Sequence, residues 1–121
     1  MDVLIVDDSA AIRKILRRVL EKTDIPMGEI SEAADGVEAL KVLETKVVQL
    51  ILCDINMPNM DGLQFLTQVR AIPEWKSVPI LMITTEGSQD KVMEAVQLGA
   101  SGYVRKPFTA DQIKEKLAGL F

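Results

Sequence analysis

Four short segments of this chain run through apolar residues and stop at a polar one. They are Leu4-Ile5-Val6 before Asp7-Asp8, Leu50-Ile51-Leu52-Cys53 before Asp54, Ile80-Leu81-Met82-Ile83 before Thr84, and Gly102-Tyr103-Val104-Arg105 before Lys106. Apolar runs of this length describe strands buried on both faces, as the strands of a parallel sheet are. Open α/β sheets bind ligands beyond the carboxyl ends of their strands. Three carboxylates, one hydroxyl and one amine are therefore expected on one rim. That set suits a divalent cation beside a phosphoryl group.

Helical patterns lie between the runs. Ser9 is placed to cap a helix reaching about Lys22, in which Ile12, Ile15, Leu16, Val19 and Leu20 follow the spacing of one buried stripe. Arg13, Lys14, Arg17 and Arg18 fall between them and read as a solvated face. Asp24 to Gly28 is a turn, Glu29 to Ala33 a short strand with Ile30 as its one strong β-former, and Asp35-Gly36 a second turn. Val37, Leu40 and Leu43 mark a second helix. A loop from Asn56 to Gly62 leads to a third, with Leu63, Leu66 and Val69 inward. Ile72 to Val78 is a loop. Val92, Ala95 and Val96 mark a fourth helix, and Gly99 and Gly102 flank the turn into the last strand. Thr109 and Gln112 fit a capping box ahead of Ile113, Leu117 and Leu120. The sum is five strand–helix repeats, a doubly wound α/β chain with a parallel sheet and helices on both faces.

Composition narrows the chemistry. A chain of 121 residues has the size of one domain. A formal net charge of -4 argues against a general nucleic-acid binder, and no apolar run approaches the roughly 20 residues that span a bilayer. Met1-Asp2 leads straight into a strand-like run without the basic region of a secretory signal. Cys53 is the single cysteine, so no internal disulfide forms. These features point to the cytoplasm. The absence of histidine removes histidine acid–base catalysis, Ser-His triads and the common zinc sites. Any metal here is held by oxygen, which selects Mg²⁺, Mn²⁺ or Ca²⁺.

Three carboxylates within a few ångströms repel one another unless a cation sits among them. Mg²⁺ suits the place because it takes carboxylate oxygens and leaves positions open for phosphate. Lys106 and Thr84 could each hold an oxygen of a phosphoryl group, and carboxylates are nucleophiles that form acyl phosphates. Asp54 stands alone at a strand end and is the nucleophile candidate; Asp7 and Asp8 are adjacent and suit metal holding. Taken singly, an Asp after a strand is often only a helix cap or turn residue. The joint placement at strand ends one, three, four and five carries the functional reading.

The segments Leu4–Ser9, Asp54–Gly62, Ile83-Thr84 and Gly99–Phe108 resemble response-regulator receiver domains, most closely the stand-alone chemotaxis (CheY-like) type. The resemblance runs from Val3 to the last helix. It implies one receiver domain over residues 1–121, a flavodoxin-like fold and strand order 2-1-3-4-5. It implies that Asp54 accepts phosphate from a histidine kinase of the CheA-like kind. Asp8 and Asp54 would ligate Mg²⁺ directly, Asp7 through water, and the backbone carbonyl of Asn56 would complete the set. Thr84 and Lys106 would bind the phosphoryl group, and the Lys106–Pro107 peptide would be cis. Tyr103 looks like the switch aromatic of the family, turning inward when Thr84 moves and so remodelling the face made by helix four, strand five and helix five. Asn56 and Glu86 lie two residues beyond Asp54 and Thr84, a combination that resembles regulators with a short-lived acyl phosphate. The downstream partner would be a flagellar-motor switch protein or another effector, and the receiver a monomer or weak dimer.

The pattern also departs from the family. Ser88 and Gln89 are uncharged where chemotaxis regulators often carry lysines. Arg105 replaces a small apolar residue, and Thr85 a frequent Ala with less bulk near Tyr103. These leave the phosphorylation site intact and the partner open. Three other readings stand beside the lead: a Mg²⁺-dependent phosphohydrolase with an Asp nucleophile, a pure interaction module whose acidic pocket is unused, and a receiver cut from a longer transcription regulator. Against the first, Asn56 occupies the place where such hydrolases usually carry a second Asp.

Overall fold

The computed structural model describes residues 1–121. Strands β1 (Val3–Val6), β2 (Ile30–Ala33), β3 (Leu50–Cys53), β4 (Ile80–Thr84) and β5 (Gly102–Arg105) alternate with helices α1 (Ala10–Glu21), α2 (Gly36–Thr45), α3 (Gly62–Ala71), α4 (Gln89–Gln97) and α5 (Ala110–Leu120). All strand pairs are parallel, in the order β2-β1-β3-β4-β5. The doubly wound (βα)5 expectation and its strand order hold.

Side-chain alternation divides the core in two. Leu4, Val6, Ile51, Cys53, Ile80 and Met82 face α2, α3 and α4, together with Phe65 and Leu66. Val3, Ile5, Leu50, Leu52, Leu81, Ile83 and Val104 face α1 and α5, where Leu16, Leu20, Ile113 and Leu117 meet them. Both faces of β1, β3 and β4 are thus covered, which explains their unbroken apolar sequence. β5, at the sheet edge, buries only Val104 fully, and β2, at the other edge, only Ala33.

The helix boundaries follow the sequence, with caps on the expected side chains. The Ser9 hydroxyl accepts from the Ile12 N–H at 3.3 Å, and Thr109 and Gln112 form the reciprocal box. The buried faces are narrower than the apolar stripes implied. Ile15 is 45% exposed while Leu16, Val19 and Leu20 are buried, because only the centre of the stripe meets the sheet. Val37 is exposed and α2 buries Gly36, Ala39 and Leu43. In α4, Val96 is exposed and the small Ala95 is the contact residue. α3 buries Phe65 completely, which the Leu63, Leu66 and Val69 stripe did not include. Arg13 and Arg17 are not a free solvated face: both pair with Glu32 of β2.

Candidate functional site

The rim beyond the carboxyl ends of β1, β3, β4 and β5 is built from main-chain geometry first. Where β1 stops, the Asp7 N–H still donates to Ala33 at 3.0 Å, and the Asp54 N–H donates to the Val6 carbonyl at 3.0 Å. The two aspartates therefore leave adjacent strands at nearly the same level. Both are buried, and Asp8 is exposed at the mouth. One carboxylate oxygen from each of Asp7, Asp8 and Asp54 lies within 4.8 Å of the others.

Lys106 crosses from the end of β5 to reach two of them. Its Nζ donates to Asp7 Oδ2 at 2.7 Å and to Asp54 Oδ2 at 3.0 Å. The remaining oxygens are taken by main chain: Ser9 N–H donates to Asp7 Oδ1 at 2.9 Å, and Ile55 N–H to Asp54 Oδ1 at 2.7 Å. The Lys106–Pro107 peptide is cis, as expected.

Asp54 is held from behind by a close backbone approach. A Cβ on Gly62 would fall 2.1 Å from the Asp54 carbonyl oxygen, so only glycine allows the start of α3 to dock there. The loop between them is tied to its neighbour. Asn59, in the left-handed region at φ 66°, donates its side-chain amide to Asp35 Oδ2 at 2.7 Å. Asp35 also caps α2, and these bonds hold its carboxyl below the ordinary aspartate range. Asn56 is exposed on this loop, with its N–H 3.4 Å from Asp54 Oδ1.

Thr84 ends β4, fully buried, and its Oγ1 accepts from the Glu86 N–H at 3.1 Å. The Lys106 N–H donates to the Thr84 carbonyl at 2.8 Å, which places the threonine beside the lysine. Glu86 accepts the Ser88 N–H on its carboxylate. Tyr103 is half-buried, and its hydroxyl donates to the Glu86 carbonyl, joining β5 to the loop after β4.

The charges do not balance. Burial pushes the Asp7 carboxyl above its ordinary range, against the pull of Lys106 and Ser9, and the neighbouring Asp54 pushes the same way. Burial alone would lower the Lys106 amine; the hydrogen bonds to Asp7 and Asp54 carry it above its ordinary value instead. The Asp7 shift is chiefly the cost of burying a carboxylate, to which the Asp54 charge adds, and the Lys106 shift is the pull of the two carboxylates that hold it. Three aspartates and one lysine leave a formal charge of -2 (one positive less three negative). A divalent ion with oxygen ligands neutralises that remainder, and the all-oxygen donor set fits Mg²⁺, Mn²⁺ or Ca²⁺.

Asp7, Asp8, Asp54, Thr84 and Lys106 are thus brought to one rim, with Asn56, Glu86 and Tyr103 on the loops and strand around it. Sequence reasoning missed Arg13, whose guanidinium reaches the Asp7 carbonyl, and the Asp35–Asn59 tether. No signal marked the first, because the group that Arg13 meets is a main-chain carbonyl.

The chain matches the response regulator receiver domain over residues 3–118. It belongs to the receiver family. Chemotaxis protein CheY-3 of Vibrio cholerae is 41% identical over 121 residues, all of this chain and 92% of that protein. Chemotaxis protein CheY of Pseudomonas aeruginosa is also 41% identical, with 96% of its length covered. Among solved structures, Vibrio cholerae CheY4 superposes with a TM-score of 0.89 at 38% identity, over 99% of this chain and 98% of that one. The Mn²⁺-bound form of response regulator Rcp1 superposes at 0.82 with 26% identity, covering 98% and 90%. This receiver is therefore a response-regulator domain of two-component signalling, closely related to the CheY chemotaxis regulators. None of its helices is long and apolar enough to cross a membrane.

Proposed function

We propose that this receiver is a phosphorylatable switch of the chemotaxis type, in which Asp54 takes a phosphoryl group from a histidine kinase. The Asp54 carboxylate attacks phosphorus, a P–O bond forms, the P–N bond of the donor breaks, and the nitrogen keeps the electron pair. Mg²⁺, held by Asp8, Asp54 and the Asn56 carbonyl with Asp7 behind a water, would neutralise charge on the transferring group. Mn²⁺ or Ca²⁺ could replace it, and the Mn²⁺-bound form of Rcp1 is a precedent among structural neighbours.

The observation that carries this reading is the Lys106 ammonium bridging Asp7 and Asp54. It stands where a cation is needed once phosphate adds about two negative charges and three acceptor oxygens. Catalysis of phosphoryl transfer rests on positioning and charge stabilisation, and the chain supplies both without a separate acid or base. The Thr84 hydroxyl, already at the strand end, would leave the Glu86 N–H to donate to the new phosphate. Glu86 and Tyr103 would then shift with the loop, changing the α4–β5–α5 face for a downstream effector such as a flagellar-motor switch protein. Asn56 and Glu86 border the path of a hydrolytic water, which would give a short-lived acyl phosphate. The chain would assist its own phosphorylation and hydrolysis without turning over other substrates, acting in the cytoplasm as a monomer or weak dimer.

Incubation with acetyl phosphate and Mg²⁺, followed by intact mass spectrometry, tests this. The wild-type chain should gain one phosphoryl group and Asp54→Asn none. Equal labelling of both would sink the assignment. Steady hydrolysis of phosphate monoesters would instead favour the phosphohydrolase.

A further inference from the structure

Every polar group of Asp7 is hydrogen-bonded, and one of its partners comes from outside the site. Its N–H is bonded to the β2 main chain, and its two carboxylate oxygens accept from Ser9 and Lys106. Its carbonyl lies past the end of β1 and before α1 begins, and no main-chain N–H reaches it. A buried carbonyl without a donor is costly. Arg13, in the first turns of α1, supplies that donor: its Nη1 donates to the Asp7 carbonyl at 2.5 Å.

The same guanidinium is anchored at its other edge, where Nε donates to Glu32 Oε1 at 2.9 Å. Glu32 is steadied in turn by Arg17, whose Nε and Nη2 donate to Oε2 at 3.1 and 2.8 Å, while Nη2 also donates to the Ile30 carbonyl at 2.8 Å. Arg13 and Arg17 therefore share one carboxylate, but only Arg13 touches Asp7.

We propose that Arg13 is a positioning residue for the cation site: braced on Glu32, it fixes the main chain of Asp7 and so aims the Asp7 carboxylate. This rests on the reading above that Asp7, Asp8 and Asp54 hold a divalent ion. Partners one layer removed from a metal commonly change its affinity by 10–100-fold. Because Arg13 acts through a carbonyl, the lower end of that range applies. The sign is diagnostic. Removing a positive charge beside a cation site should by electrostatics alone strengthen cation binding; loss of positioning weakens it.

The experiment is calorimetric titration of the whole chain with MgCl₂, comparing wild type, Arg13→Met, Arg13→Lys and Arg17→Ala. Arg13→Met keeps the aliphatic stem and loses the donors. It should bind Mg²⁺ about tenfold more weakly. Arg13→Lys, which keeps one donor, should recover part of that loss, and Arg17→Ala should stay close to wild type. Unchanged or tighter binding in Arg13→Met, or equal weakening in Arg17→Ala, overturns the proposal.

Amide exchange of metal-free protein gives a second readout. The Ser9 N–H is bonded to Asp7 Oδ1, so its exchange rate reports the placement of that carboxylate. It should rise in Arg13→Met and not in Arg17→Ala; an unchanged rate in Arg13→Met also overturns the proposal. If the wild type took up no Mg²⁺, the cation reading would fail while the Ser9 exchange still decided what Arg13 holds.

Discussion

The two rims of the sheet handle polarity in opposite ways. At the carboxyl rim sit all four buried polar side chains of the chain, Asp7, Asp35, Asp54 and Thr84. At the amino rim stands Arg70, half-buried at the end of α3. Its guanidinium donates to the Gly99 carbonyl at 3.0 and 2.8 Å, to Val78 at 2.7 Å and to Trp75 at 3.4 Å. Arg70 thus staples the loops before β4 and β5, and every partner is a neutral oxygen. The carboxyl rim instead crowds like charges around one ammonium. One rim is satisfied as it stands, and the other is built to be completed by something that arrives.

That contrast breaks first at Lys106. Lys106→Met leaves two buried carboxylates without their cation, and losing one partner of a buried ion pair costs about 3 kcal/mol or more. Urea denaturation at neutral pH should show it, and added Mg²⁺ should restore part of the loss by supplying the missing charge. A Lys106→Met protein as stable as wild type, with or without Mg²⁺, would mean that the carboxylates do not depend on the lysine.

Arg70→Ala should cost about 2 kcal/mol, since hydrogen bonds from a charged donor are among the stronger ones and several carbonyls lose their partner together. Unlike Lys106→Met, it should respond to Mg²⁺ as the wild type does and leave phosphoryl uptake by Asp54 intact. Loss of labelling at Asp54 in a folded Arg70→Ala protein would erase the distinction between the rims.

Asp54→Asn should move stability the other way. It removes one of the crowded carboxylates while its side-chain oxygen can still accept from the Ile55 N–H, and Lys106 keeps Asp7. A gain of about 1 kcal/mol in Mg²⁺-free buffer is expected. Wild type should gain about 2.7 kcal/mol from Mg²⁺ at a hundredfold excess over its dissociation constant, and Asp54→Asn much less. Thermal melts with and without Mg²⁺ check both halves.

The carboxyl rim was largely legible in the sequence and the amino rim was not. Asp54 follows Leu50–Cys53 and Thr84 follows Ile80–Ile83 because a doubly covered strand leaves polarity nowhere to go but its end. The strand–helix alternation, the Ser9 and Thr109 caps and the turn at Asp35-Gly36 were legible for a similar reason, since each rests on neighbours in the chain. Ile15 and Val96 misled because a helical stripe records which residues can be buried, while the sheet decides how much of the stripe it covers. Arg70 and Arg13 were silent because their partners are main-chain carbonyls, which any sequence supplies. Only folding brings Gly99 to Arg70 or the Asp7 carbonyl to Arg13.

Glu32 gives the smallest effect and tests whether the bracing of Asp7 belongs with the satisfied groups. Its hydrogen bond from Arg17, ahead of that from Arg13, holds the carboxyl below the ordinary glutamate value of 4.5 despite partial burial. A carboxyl whose pKa is lower in the folded chain contributes stability above its unfolded value and loses it as pH falls through the folded one. The side chain is 33% exposed, so solvent and salt screen the pair. Glu32→Gln should therefore cost only about 0.5 kcal/mol at pH 7. The gap from wild type, measured by urea denaturation, should shrink as the buffer is taken below the folded pKa and also at high salt. A gap that stayed constant into acid would mean that Glu32 contributes by packing rather than by charge, and that Arg13 is held by something other than this ion pair.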